Sequence, residues 1–201
     1  MNNLDKRQDF KQNYTHYTDT LAVKKTSDLL ITYIPKTYSD LVVLCIGTDR
    51  STGDALGPLT GTFLSQMNLT SIQVYGTLHE PVHAINLQQT IDKINQKYNN
   101  PFIIAVDASL GKSSSIGCFI TGNGSLQPGA ALKKDLPAVG DAYVTGVVNI
   151  GGFMDYVVLQ STRLSIVHDM AYKLALIFKK VDIWLNYYEL NKLRNTSNSN
   201  V

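Results

Sequence analysis

Six consecutive apolar residues, Leu41-Val42-Val43-Leu44-Cys45-Ile46, run into Gly47 and constrain this chain more than any other stretch. A strand with one wet face alternates apolar and polar residues. A run with no polar face must be covered on both sides, as in parallel sheets layered between helices. A second such run, Phe102 to Val106, ends in Asp107. Between the two, Leu59, Phe63, Leu64 and Met67 recur at helical spacing after Pro58. Ser71 to Tyr75 alternates as a strand, and Pro81 to Tyr98 reads as a helix stopped by Asn99-Asn100-Pro101. Strand, helix, strand, helix, strand predicts βαβ units and a parallel sheet.

The remaining segments are weaker. A helix over Ser27–Tyr33 should stop at Ile34, because Pro35 disfavours the helical conformation before it. Ser115 to Thr121 reads as a strand leading into a glycine-rich loop, Gly122–Gly129, and Asp141 to Val148 contains a short last strand. A helical pattern from Phe153 to Phe178 has room for one break. The apolar Ile183-Trp184-Leu185, with Tyr187-Tyr188, could cap the sheet or face a second copy of the chain. The first dozen residues and the Asn- and Ser-rich stretch from Asn195 to Val201 are expected to be disordered. This divides the chain into an extension (1–36), one α/β domain (37–190) and a tail (191–201). At 201 residues, about 70% of the unfolded surface can be buried, enough for a full core.

Charge and cysteine content exclude several classes. A net charge of +2 is too small to argue for nucleic acid or an anionic membrane. Cys45 and Cys118 each lie in an apolar run and read as small buried hydrophobes, not as a disulfide framework or zinc site. No apolar signal region and no run of ~18 apolar residues is present, so a cytoplasmic location is expected.

Ligands of open α/β sheets bind beyond the carboxyl ends of the strands. Asp54 and Asp107 each follow a buried strand there, and neighbouring strands lie ~4.8 Å apart. If these two strands pair, their carboxylates come close. Such a pair can share a proton and activate water, or bind a divalent metal. The alternative for Asp54 is a helix cap, and for Asp107 a mere strand end. Asp49 and Arg50 share the first loop, either as a solvated pair or as groups that orient a substrate. His79 and His83 are four apart, but Pro81 between them breaks a common helical face, so a metal role is not assigned. His16 and His168 read as surface or packing residues. No nucleotide P-loop, G-x-G-x-x-G after a strand, or G-x-S-x-G elbow occurs.

Three separated motifs carry a resemblance over roughly residues 40–180. They are Cys45 to Pro58, Ala105-Val106-Asp107-Ala108-Ser109-Leu110-Gly111, and Gly146-Val147-Val148-Asn149-Ile150-Gly151-Gly152-Phe153-Met154. Together they resemble the YyaC family of sporulation proteins, which is similar to the spore germination protease and more distantly to hydrogenase maturation endopeptidases. The resemblance implies a three-layer α/β/α sandwich with a mostly parallel, doubly wound sheet. The germination protease has Asp-Ala-Leu-Gly-Pro after its first strand, matching Asp54 to Pro58, and a second catalytic aspartate in an Asp-Ala step, matching Asp107-Ala108. The metal-binding acid of the hydrogenase branch falls where this chain has Ala55, and its histidine where Val147-Val148-Asn149 stand; Asp107 alone matches.

The activity implied by the resemblance is that of an aspartic-type endopeptidase of the sporulating cell or spore. It would have Asp54 and Asp107 catalytic, Asp49, Arg50, Thr77 and His79 lining the substrate cleft, and no metal or other cofactor. The substrate would be a small protein or peptide, with no nucleic acid or membrane partner and a homo-oligomer possible. A non-catalytic binding or assembly protein and a metal-dependent peptidase are the competing expectations.

Overall fold

The computed structural model describes residues 14–129 and 136–198. Its strands are β1 (Tyr14–His16), β2 (Leu41–Cys45), β3 (Ile72–Tyr75), β4 (Phe102–Gly111), β5 (Cys118–Asn123) and β6 (Ala142–Ile150). Its helices are α1 (Ala22–Tyr33), α2 (Leu56–Ser65), α3 (Leu87–Lys97), α4 (Asp155–Gln160) and α5 (Leu164–Asn198).

All five residues of β2 are buried, because both faces are covered. Leu41, Val43 and Cys45 pack in one apolar cluster with Leu30 of α1, Leu56 and Leu64 of α2, and Leu174 and Phe178 of α5. Val42, Leu44 and Ile46 pack in the other, with Leu87 and Ile94 of α3. The two-residue period of the strand thus distributes one unbroken apolar run between two helical layers. The three-layer α/β fold expected from the sequence is present.

The sheet order is β1-β5-β6-β4-β2-β3. β3, β2, β4 and β6 are parallel, with Leu41 opposite Phe102 and Cys45 opposite Val106. β5 runs antiparallel to β6, and β1 antiparallel to β5. From β2 the chain moves to β3 on one side, then returns to β4 on the other. The carboxyl ends of β2 and β4 therefore flank a switch in strand order, where open α/β sheets form a crevice.

Several boundaries differ from the sequence reading. The expected helix from Pro81 begins only at Leu87. Val82 instead bridges Ile46 in parallel fashion and its carbonyl accepts the Gly47 N–H at 2.8 Å, which a helical backbone could not do. β4 runs four residues beyond Asp107, because β6 pairs alongside it as far as Ile150, with an irregularity at Ser109/Leu110. The break in the last helical pattern falls between α4 and α5. α5 continues to Asn198, so residues 195–198 of the expected disordered tail are helical. Residues 1–13 and 199–201, where disorder was also expected, lie outside the described residues. Cys45 is buried as expected, whereas Cys118 is only half-buried, at the start of β5; both are free thiols.

Asp182 of α5 is 1% exposed and anchors the helix to the sheet. Its Oδ1 accepts the N–H groups of Thr70 (3.0 Å) and Ser71 (2.8 Å), and its Oδ2 pairs with Lys179 at 3.2 Å.

Candidate active site

The first loop is shaped by backbone clearance. Gly47 has φ +144°, and a Cβ there would lie 2.0 Å from the Asp54 carbonyl oxygen. That oxygen accepts the Thr48 N–H at 3.1 Å, so the loop doubles back onto the end of its own strand. A 3-10 turn, Gly53–Ala55, carries Asp54 into α2. α2 lies flush on β2 because Gly57 has no side chain: a Cβ there would meet the Ile46 carbonyl oxygen at 2.1 Å. The small residues around Asp54 therefore hold it over the carboxyl end of β2.

Asp107 lies near the middle of β4 and is 5% exposed. Its Oδ1 accepts the Ala108 N–H at 2.8 Å, and its Oδ2 accepts the Gly129 N–H at a long 3.4 Å. Burial pushes its carboxyl up to about 8, with the charge of Asp54 adding to the rise and the two N–H donors opposing it. Desolvation and a like charge both disfavour the ionised form, and here they outweigh the donors. Asp107 is thus held toward its protonated form beside Asp54.

Both acids line one cleft of about 90 Å³, with Gly47, Thr48, Arg50, His83 and Gly129 among its walls. Arg50 stands on the rim, its Nε donating to Thr48 Oγ1 at 3.3 Å. Asp49 is exposed and outside the lining, accepting the Thr48 hydroxyl at 3.4 Å. Thr77 lies in an adjoining recess of about 700 Å³, where its Oγ1 accepts the Glu80 N–H at 3.0 Å. His79 is exposed and lines neither space. The structure therefore gathers Asp54, Asp107 and Arg50, places Thr77 next door, and leaves Asp49 and His79 outside.

Thr145 is not singled out from the sequence, and His83 is weighed there only together with His79. Thr145, opposite Asp107 in the β4–β6 pairing, is buried and lines a hollow of about 310 Å³ on the far side of Asp107. His83 borders both the cleft and the recess. It lies in a loop and not in the helix expected from Pro81, because Val82 pairs with Ile46 and Gly47 at the end of β2. Among the described residues, no three of His, Cys, Asp and Glu gather closely enough to hold a metal ion. No helix there is long and apolar enough to cross a membrane.

The fold is similar to that of a protein of known structure. The NiFe hydrogenase maturation protease HycI from Thermococcus kodakarensis KOD1 matches with a TM-score of 0.50 at 15% identity, over 76% of this chain and 97% of that one. The resemblance to YyaC is also borne out: the "Uncharacterized protein YyaC" of Bacillus subtilis (strain 168) is 52% identical over 163 residues, 81% of this chain and 80% of that protein. The family model described as "Protein of unknown function (DUF1256)" matches residues 14–177, which span the whole sheet and include Asp54 and Asp107. This chain belongs to the DUF1256 family.

Proposed function

We propose that this protein hydrolyses peptide bonds, with Asp54 and Asp107 sharing one proton. The observation that carries this reading is the state of Asp107: buried, raised to about 8 by burial and by Asp54, and lining the same cleft as Asp54. Like charges held close cannot both ionise freely, so the pair keeps one acid and one base at neutral pH. Asp54 takes a proton from water as the oxygen attacks the scissile carbonyl carbon. Asp107 donates its proton toward the carbonyl oxygen. Collapse of the tetrahedral intermediate breaks the C–N bond, and the nitrogen leaves with a proton returned from the pair. The likeness of the fold to a maturation protease supports the hydrolase class.

The matches of Asp54 to Pro58 and of Asp107-Ala108 to the germination-protease pattern support the aspartic type. They extend the reading to small spore proteins as substrates, in the sporulating cell or spore. The test is incubation of small acid-soluble spore proteins with wild type and Asp107→Asn, with and without chelator, read by mass spectrometry. Chelator-resistant cleavage that disappears in the variant is expected. Cleavage that survives in Asp107→Asn would refute the acid pair, and chelator-sensitive cleavage would replace it with a metal centre. The absence of any cleavage would leave the binding-protein alternative standing.

A further inference from the structure

The cleft that holds the acid pair is not isolated. It shares Asp107 with the hollow of about 310 Å³ on the β6 side, and His83 with the recess of about 700 Å³ on the β3 side. A peptide that reaches from the acids toward the larger space passes His83, the residue that lines both.

His83 is held firmly. Its N–H donates to Asn86 Oδ1 at 2.8 Å, and its carbonyl accepts the N–H groups of Asn86 (3.0 Å) and Leu87 (2.9 Å). Asn86 Nδ2 ties the turn back to the Pro81 carbonyl at 2.9 Å. The preceding Val82 accepts the Gly47 N–H, so His83 is positioned from the same strand end that positions Asp54. Within the ring, Nδ1 is buried and has no hydrogen-bond partner among the described residues. A buried N–H without an acceptor is costly, so the ring proton belongs on Nε2. His83 is only half-buried, and Nε2–H is the polar group the ring has left to present to the cavities it lines.

We propose that His83 is a substrate-positioning residue, whose Nε2–H donates to a backbone carbonyl of the peptide on the recess side of the scissile bond. The inference rests on the peptide-hydrolase reading above. It separates His83 from the acid pair: His83 holds the chain, and the acids do the chemistry.

A peptide library digested by the wild type, with cleavage mapped by mass spectrometry, supplies a substrate and versions truncated on either side. On the full peptide, His83→Phe is expected to raise KM about tenfold or more, the range for one lost hydrogen bond, with kcat little changed. His83→Gln, whose amide reaches the Nε2 position, restores KM. Truncation on one side removes the difference between wild type and His83→Phe. Long-range 15N–1H spectra of the ring should show the Nε2–H tautomer, and an Nδ1–H tautomer overturns the proposal. Cleavage lost in Asp107→Asn but with KM unmoved in His83→Phe overturns this inference alone. A KM increase that Gln fails to rescue, at unchanged melting temperature, also overturns it. A wild type that cleaves no peptide overturns the hydrolase reading and this inference with it.

Discussion

Replacing Asp107 by Asn should make the protein more stable, and increasingly so as pH rises. Asn has nearly the shape of the protonated acid and cannot ionise. In the wild type the carboxyl moves from an ordinary 3.8 to about 8 on folding. Below pH ~4 folded and unfolded chains both hold the proton, and the group contributes no pH dependence. Between pH ~4 and ~8 the unfolded chain releases the proton while the folded one retains it. Stability then falls as pH rises, by about 1.4 kcal/mol per pH unit for one proton. Above pH ~8 both forms are ionised and the loss is complete. The full window corresponds to an upper value of roughly 5 kcal/mol, a large share of the ~5–15 kcal/mol that holds a domain together. Urea unfolding of both proteins from pH 4 to 9, followed by circular dichroism, gives the difference directly. It should be near zero at pH 4 and reach a few kcal/mol in favour of Asn by pH 8. A difference that does not change with pH, or one that favours Asp107 as pH rises, would show that the carboxyl is ionised in the fold and would refute the reasoning. Asp54→Asn provides an internal control. It removes the smaller cause of the rise and leaves burial, so the window should narrow from above and persist.

Four further outcomes are expected. Cleavage by the wild type should fall as pH rises through about 8, where Asp107 loses the proton it donates, as measured by a kcat/KM profile. Asp54→Asn and Asp107→Asn should each lower kcat by roughly a thousandfold or more with intact circular dichroism, and the double variant should lose little beyond either alone, because the two act as one unit. Gly57→Ala should destabilise by several kcal/mol in urea unfolding, since the new Cβ collides with the Ile46 backbone and lifts α2 off β2. Asp182→Ala should cost about 3 kcal/mol in the same assay, because it leaves the Thr70 and Ser71 N–H groups without their acceptor and removes one of the two oxygen partners of Lys179.

The helical layers were legible wherever burial alone dictates structure. Leu41 to Ile46 has no polar face, and a strand of that kind is stable only between two layers. The end of α1 was equally legible, because Pro35 forces Ile34 into an extended conformation, with ψ 120°. Segments whose conformation depends on a distant partner were not legible. β1 has only three residues and exists because β5, about a hundred residues later, lies beside it. Residues 81–86 have apolar spacing suited to a helix, yet Val82 is claimed by Ile46 and Gly47. The carboxyl half of β4 is a strand because β6 accompanies it.

The candidate site divides in the same way. Asp54 and Asp107 announce themselves in the chain as acids at the ends of buried runs, and the small residues around Asp54 mark a place where backbone must approach backbone. These are local consequences of sterics and burial, and the sequence contains them whole. Their meeting is not local. It depends on β2 and β4 being neighbours at a switch in strand order, and on the near-complete exclusion of water from one carboxyl and not the other. The same tertiary arrangement brings His83 beside Asp54, through a bridge between Val82 and Ile46, residues 36 positions apart in the chain. Residue types and strand ends belong to the sequence. Proximity, and the proton it places on Asp107, belong to the fold, because desolvation and charge repulsion depend on where the chain returns.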